Sequence, residues 1–310
     1  MPGYSFIVNV ESAEVVLPYE IAPGLTIGRA DGAQIEKIVE ILKTFRPRPG
    51  EAVIPTHHEF ARVRALDRNG FTFVPRDMAD RRYFVAMFDD NGEKIERLRE
   101  AACVADEELE VGFDVIDTPP HAFGGLRYNA PRLWQSLAAA TDFAFEPMTL
   151  SEAGLAGLSG LYRQAMDCAQ PAQTALRDLL ELKVVHPASR LFVLGLFGLI
   201  ESLLAHEPEQ HDRLTSIARQ IRSKARLLSN RRRDWPNSAD FFDGSSKEDP
   251  WPLLARLRNK IAHGGKPDYA APLRELRNQG NATLFLRMVC KALIRSILEE
   301  PQFMTDLRAC

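Results

Sequence analysis

The run Leu191–Ile200, carried on by Leu203 and Leu204, constrains this chain more than any other stretch. It is apolar on every side, so a helix formed by it must be covered on every side. A membrane span needs about 20 apolar residues, and this run is broken first by Glu201 and Ser202. The reading is a buried helix over Ser189–Ala205, opened by Pro187 and Ser189, with other helices packed around it. Glu201 adds a second demand, because a carboxylate in so apolar a helix is costly unless it is paired. It either orients Arg258 or His263 in a site or is a solvent-facing or structural ion-pair residue, and Arg258 is the favoured partner in both cases.

The segments after residue 150 are helical by the same logic. Glu152–Gln170, Ala172–Val184, Asp212–Leu228, Pro252–His263 and Leu284–Leu298 show apolar residues at helical spacing. The segments before it are mixed. Tyr4–Val10, Glu14–Leu17, Tyr83–Phe88 and Glu110–Ile116 read as strands, and Phe60–Leu66 with Phe71–Val74 as a hairpin around Asp67-Arg68-Asn69-Gly70. Gln34–Phe45 and Lys94–Val104 read as helices, and Arg132–Ala140 as a short one. The fold class is therefore α+β: a strand-rich α+β domain over 1–145 and an all-α helical bundle over 146–310, with the linker near 141–150.

The net charge of -3 hides an asymmetry. Residues 1–150 carry 16 Lys/Arg against 24 Asp/Glu, whereas residues 151–310 carry 23 against 18. The basic excess gathers between Arg213 and Arg233, where there is no acidic residue. Arg219, Arg222 and Arg226 share one helical face there, a stripe suited to RNA phosphates. The competing reading is a solvated face, or pairing with the acidic half. Trp235 and Trp251 lie in the adjoining loop and are placed to flank a cleft. The amino terminus lacks a basic leader, and the four cysteines show neither zinc spacing nor a disulfide framework, so a cytoplasmic protein is expected. No metal or other cofactor is expected. His57-His58-Glu59 lacks the further ligands a zinc site needs and reads as a surface turn.

The chemistry concentrates in Leu257-Arg258-Asn259-Lys260-Ile261-Ala262-His263-Gly264. Leu254, Leu257 and Ile261 face the core, Arg258 lies beside that stripe, and Asn259 and His263 share another face one turn apart. Gly264-Gly265 ends the helix and puts His263 on its last turn, where the dipole favours an imidazolium. Histidine can take the proton of a ribose 2′-hydroxyl, and arginine can hold the phosphate, so the pair suits RNA cleavage. Arg256 and Lys260 would add phosphate contacts.

This segment resembles the signature of the HEPN superfamily, an Arg and a polar residue followed by a His four to six residues after the Arg. Here these are Arg258, Asn259 and His263; Arg256 also fits the spacing, and Arg258 is preferred because Asn259 follows it. The order of helices over about 150–310 is similar to that of the ApeA-like HEPN group. The resemblance implies a metal-independent endoribonuclease acting as a homodimer, cleavage to a 2′,3′-cyclic phosphate, and a role in antiphage defence or growth arrest. On that reading Arg258 and His263 are catalytic, with Asn259 and Glu201 in support, and the N-terminal domain binds a trigger or regulator. A non-catalytic RNA- or nucleotide-binding or dimerisation module remains the alternative.

Overall fold

The computed structural model describes residues 2–44, 58, 60–64, 71–77, 81–116, 125–127, 148–206 and 216–310. The expected helix Arg132–Ala140, the turn Asp67–Gly70, His57 and Glu59 lie outside them. The chain divides into two compact units, Met1–Met166 and Asp167–Cys310.

The first unit is built on β1 (Gly3–Ile7), β2 (Val10–Ala13), β3 (Tyr19–Ala22), β4 (Leu25–Arg29), β5 (Phe60–Arg64), β6 (Phe71–Pro75), β7 (Phe84–Phe88), β8 (Val111–Ile116), β9 (Gly125–Arg127) and β10 (Met148–Leu150). Six of these form one antiparallel sheet in the order β3-β4-β7-β1-β8-β9, while β5 pairs with β6 and β10 with β2. Strand alternation decides its two faces. Tyr4 and Phe6 of β1 and Val85 of β7 meet α1 (Gly32–Thr44) through Ile38 and Ile41. Ile7, Phe84, Ala86 and Phe88 point the other way, toward Ile95 and Leu98 of α2 (Glu93–Val104). Gly92 opens α2 at φ 87, a left-handed conformation cheap only without a Cβ, and Asp90 accepts the Gly92 and Lys94 amides at 2.8 and 3.0 Å.

The α2 face holds one expensive residue. Asp114 of β8 is fully buried there and accepts Ser5 Oγ at 2.5 Å and both Nη groups of Arg99 from α2. Arg99, 5% exposed, also donates to Glu96 at 2.6 Å and to the Gly112 carbonyl at 3.3 Å. With so many partners the buried charges are tolerated, and the pair locks α2 to the strand register of β1 and β8.

Three expectations change in this unit. Glu14–Leu17 is not a strand; the strands on either side of it are Val10–Ala13 and Tyr19–Ala22, and the hairpin of β3 with β4 had no strong alternation to announce it. His58 sits in a turn, but it is buried rather than at the surface. Its ring stacks on Tyr83 with centroids 5.2 Å apart, and its nitrogens lie 2.8 Å from the Val8 carbonyl and 3.0 Å from that of Arg82. Finally, α3 (Glu152–Asp167) belongs to this unit instead of the helical one, because Leu155, Leu158 and Tyr162 complete the core on the α2 face. The division therefore falls after Met166 rather than at 145.

The second unit contains α4 (Gln170–Leu182), α5 (Arg190–Leu204), α6 (Ile217–Arg231), α7 (Trp251–Ala262), α8 (Gln279–Glu299) and α9 (Pro301–Ala309). The apolar helix α5 is at its centre and packs against each of the other five. Ser189 caps it by accepting the Leu191 amide at 3.2 Å, and Phe192, Val193, Leu196, Phe197, Ile200 and Leu204 are buried. Cys290 of α8 donates to the Leu196 carbonyl at 3.6 Å, and burial pushes its thiol far up from the ordinary range. The loop before α7 is pinned onto α8 by Phe242, whose ring lies edge-on to Phe285 with centroids 5.0 Å apart.

Asp114→Asn removes the charge facing Arg99 and is expected to cost about 3–5 kcal/mol, read as a lower urea midpoint with an unchanged slope. A loss below about 1 kcal/mol would mean the pair does not hold α2.

Candidate functional site

Helix α7 begins with Trp251 and Pro252, where proline is pre-set for a first turn, and buries Leu254, Leu257 and Ile261. Its end is equally well defined. Gly264 donates to Ile261 O at 2.9 Å and Gly265 to Lys260 O at 2.8 Å, with Gly264 at φ 74. That is a Schellman end, and it makes His263 the C-cap residue. Arg190 at the start of α5 donates to the Gly265 carbonyl at 3.5 Å, tying the end of α7 to the central helix.

Arg258 projects toward α5. Its Nη2 lies 3.2 Å from Glu201 Oε1 and 3.3 Å from Oε2, and its Nη1 donates to Asn259 Oδ1 at 3.3 Å. The pair is only half-buried, the Arg258 side chain being 38% and that of Glu201 25% exposed. Exposure of this order leaves the stabilisation small, and it also leaves both groups accessible to a ligand. The structure therefore brings Arg258, Asn259 and Glu201 together, with Arg258 as the partner that the apolar run required. Arg256, Lys260 and His263 are exposed, and the His263 ring makes no hydrogen bond among the described residues. Of the two arginines that fit the motif spacing, Arg258 is the one joined to Glu201.

The pair sits on a cavity of about 350 Å³ between α5, α6 and α7. Phe197, Ile221, Trp251 and Ala255 form much of its apolar wall; Glu201, Arg258 and Asn259 are its polar groups. Ser216, Ile217 and Ala218, the first turn of α6, complete it, and Ser216 makes no side-chain capping bond. Trp251, placed by its sequence position beside a cleft, is buried in this wall. Nothing in its spacing from Glu201 announced the cavity, which exists only once three helices have packed.

The basic helix is less uniform than its composition implied. Arg219, Arg222 and Arg226 are exposed along α6, with Arg222 Nε donating to Asp249 at 2.5 Å. Lys224 is buried on another face. It donates to the carbonyls of Leu204 at 2.8 Å and Arg308 at 3.0 Å, and burial lowers its pKa. It thereby serves the exposed carbonyl ends of α5 and α9. Arg231 pairs with Glu300 and lies over the Phe303 ring at 4.3 Å. Arg232 donates to Asp234 at 2.8 Å and Glu299 at 2.9 Å. Arg231 and Arg232 are thus committed to packing against α8 and α9, whereas the stripe Arg219, Arg222 and Arg226 is exposed, Arg222 being paired with Asp249. Asp234 feels burial, which raises its pKa, but the Arg232 hydrogen bond and charge outweigh it and hold the carboxyl below its ordinary value.

Among the described residues, no group of three or more His, Cys, Asp or Glu could hold a metal ion, and no helix is long and apolar enough to cross a membrane. Compared with models of protein families, with curated proteins and with solved structures, the chain matches none.

The Arg232–Asp234 clip makes an acid-dependent contribution. A carboxyl held low when folded stabilises the protein above its unfolded pKa, near 3.8, and that stability is lost as pH falls through the folded value. Between pH 6 and pH 3 the wild type should lose more stability than Asp234→Asn, as followed by urea unfolding at each pH. Parallel profiles for the two proteins would show that the clip carries no such linkage.

Proposed function

We propose that the helical unit is a metal-independent endoribonuclease of HEPN type that works as a homodimer on RNA. The observation that carries this reading is Arg258, held by Glu201 and Asn259 at an open cavity on the helix that ends in the exposed His263. Arg258 is a positive group left accessible instead of being sealed in the core, which suits a phosphate. Glu201 and Asn259 act as positioning residues, since they fix the guanidinium without reaching the reacting atoms themselves.

The reaction assigned to these groups is transesterification. The His263 imidazole removes the 2′-hydroxyl proton, and the 2′-oxygen attacks phosphorus. Arg258 neutralises charge building on the phosphate oxygens. The bond from phosphorus to the 5′-oxygen breaks, a second imidazole protonates that oxygen, and the products are a 2′,3′-cyclic phosphate and a 5′-hydroxyl. On this reading the second imidazole comes from a second copy of the chain. In an ideal helix residues five apart point about 140° away from one another, so Arg258 and His263 of one copy diverge around α7. A two-fold pairing would supply each phosphate with groups from both copies. By the same resemblance the biological setting is antiphage defence or growth arrest, with residues 1–166 receiving a trigger or regulator.

One observation favours the second reading, a non-catalytic RNA- or nucleotide-binding module: within one copy the His263 ring has no hydrogen-bond partner among the described residues to orient it.

The two readings separate in one assay. Purified protein incubated with RNA in EDTA should release fragments ending in 2′,3′-cyclic phosphate. His263→Ala should slow cleavage by about 10²–10⁴-fold, the usual contribution of a general acid–base group, while remaining folded and dimeric. Intact RNA in the presence of a dimeric wild type would overturn the ribonuclease reading and leave the binding module.

A further inference from the structure

The cavity between α5, α6 and α7 is larger than holding Arg258 requires, and its chemistry is uneven. One side is apolar and aromatic, with Phe197, Ile221 and Trp251. The other side carries Glu201, Asn259 and Arg258. A volume of about 350 Å³ lies at the small end of ligand pockets, room for a single ring system with its sugar. Flat aromatic and aliphatic walls favour a planar heterocycle, because every nucleobase presents a π-face that packs on such surfaces.

The polar side discriminates among heterocycles. Glu201 meets Arg258 through one nitrogen, Nη2, at 3.2 and 3.3 Å to its two oxygens. An ionised carboxylate offers about four lone-pair sites, so acceptor capacity remains on both oxygens. Asn259 spends its Oδ1 on Arg258 Nη1, which leaves its Nδ2 donors without a partner among the described residues. The cavity wall thus carries carboxylate acceptors and an amide donor, with the Arg258 guanidinium bridging them. Guanine matches this, with the N1–H and N2 amine on one edge and the O6 acceptor next to them. Uracil would turn carbonyl lone pairs toward the carboxylate, and adenine and cytosine place a ring-nitrogen acceptor beside their single amine. Like charge and mismatched acceptors are penalised most where water is scarce.

We infer that this cavity is a guanine-specificity pocket. The base packs on Phe197, Ile221 and Trp251, Glu201 and Asn259 read its edge, and Arg258 and the uncapped first turn of α6 face its phosphate. The inference rests on the ribonuclease reading only for the source of the base, a guanosine within RNA; recognition of the base itself rests on the cavity.

Calorimetric titration of the full-length protein with guanosine, inosine and uridine monophosphates, in EDTA, tests it. Inosine lacks the N2 amine. Guanosine monophosphate should bind about 10–100-fold more tightly than either of the others, the cost of one lost hydrogen bond to a charged group. Glu201→Gln should bring the three ligands to within about threefold of one another, with an unchanged circular-dichroism spectrum. Ala255→Phe fills the cavity while leaving Glu201, Arg258 and Asn259 in the chain, and should remove binding of all three. Equal affinity of the wild type for guanosine and uridine monophosphates, no binding by the wild type, or undiminished binding by Ala255→Phe would each overturn the inference. RNA cleavage mapped on the same protein separates the two claims. If RNA is cut without guanosine preference and no monophosphate is preferred, the pocket fails and the nuclease stands. If guanosine monophosphate is preferred and RNA stays intact, the pocket stands and the nuclease fails.

Discussion

A carboxylate on an otherwise apolar central helix has few ways of existing. Glu201 sits at the half-exposed edge of α5, where a cation at its own level along the helix can pair with it. The packed helix α7 delivers one there with Arg258. The burial of Leu254, Leu257 and Ile261 sets how far α7 can slide along α5, and in that register Arg258 meets Glu201. Once α7 is fixed, Trp251 closes one wall and α6 the next, and a cavity is left beside the pair. The site is in this sense a by-product of packing α6 and α7 beside one half-exposed charge on α5.

The first unit solves the same problem in the opposite way. Asp114 is as badly placed as Glu201, but Arg99, Ser5 and neighbouring carbonyls satisfy the pair, and it is closed to water with side chains 1% and 5% exposed. Such a pair can hold elements in register and has no spare capacity for a ligand. The Arg258–Glu201 pair is loose, contacts through one nitrogen, and stays open. The two pairs show how burial separates an interaction that specifies a fold from one that can take part in chemistry.

Much of the helical unit was legible from sequence because its signals are local or one-dimensional. The apolar run marks α5, proline and glycine bracket α7, and the need to pair Glu201 singles out Arg258. What escaped depends on three-dimensional neighbours. The amphipathic pattern of α3 reveals a buried face without saying which core receives Leu155 and Leu158. Lys224 looks like any other basic residue of its helix until the carbonyl ends of α5 and α9 converge on it. His58 reads as polar punctuation, yet it becomes core because two carbonyls and the Tyr83 ring surround it. The β3–β4 hairpin is short and mixed in character, and it is held by pairing of β4 along β7 and by burial of Ile21, Leu25 and Ile27.

The two ends of α7 have a bearing on how this region can change. Its start is set by Pro252 and the buried Trp251, its finish by the Gly264 turn and the hold of Arg190 on Gly265. The helix is therefore a caliper of set length. Side chains along it can be exchanged one at a time, but an inserted or deleted residue would rotate everything beyond it by about 100° and advance it by about 1.5 Å. A change between Arg258 and His263 would alter their mutual bearing, and one before Arg258 would turn it away from Glu201. Diversification of this region should proceed by substitution within the caliper, and length variation should be confined to the loops on either side of it.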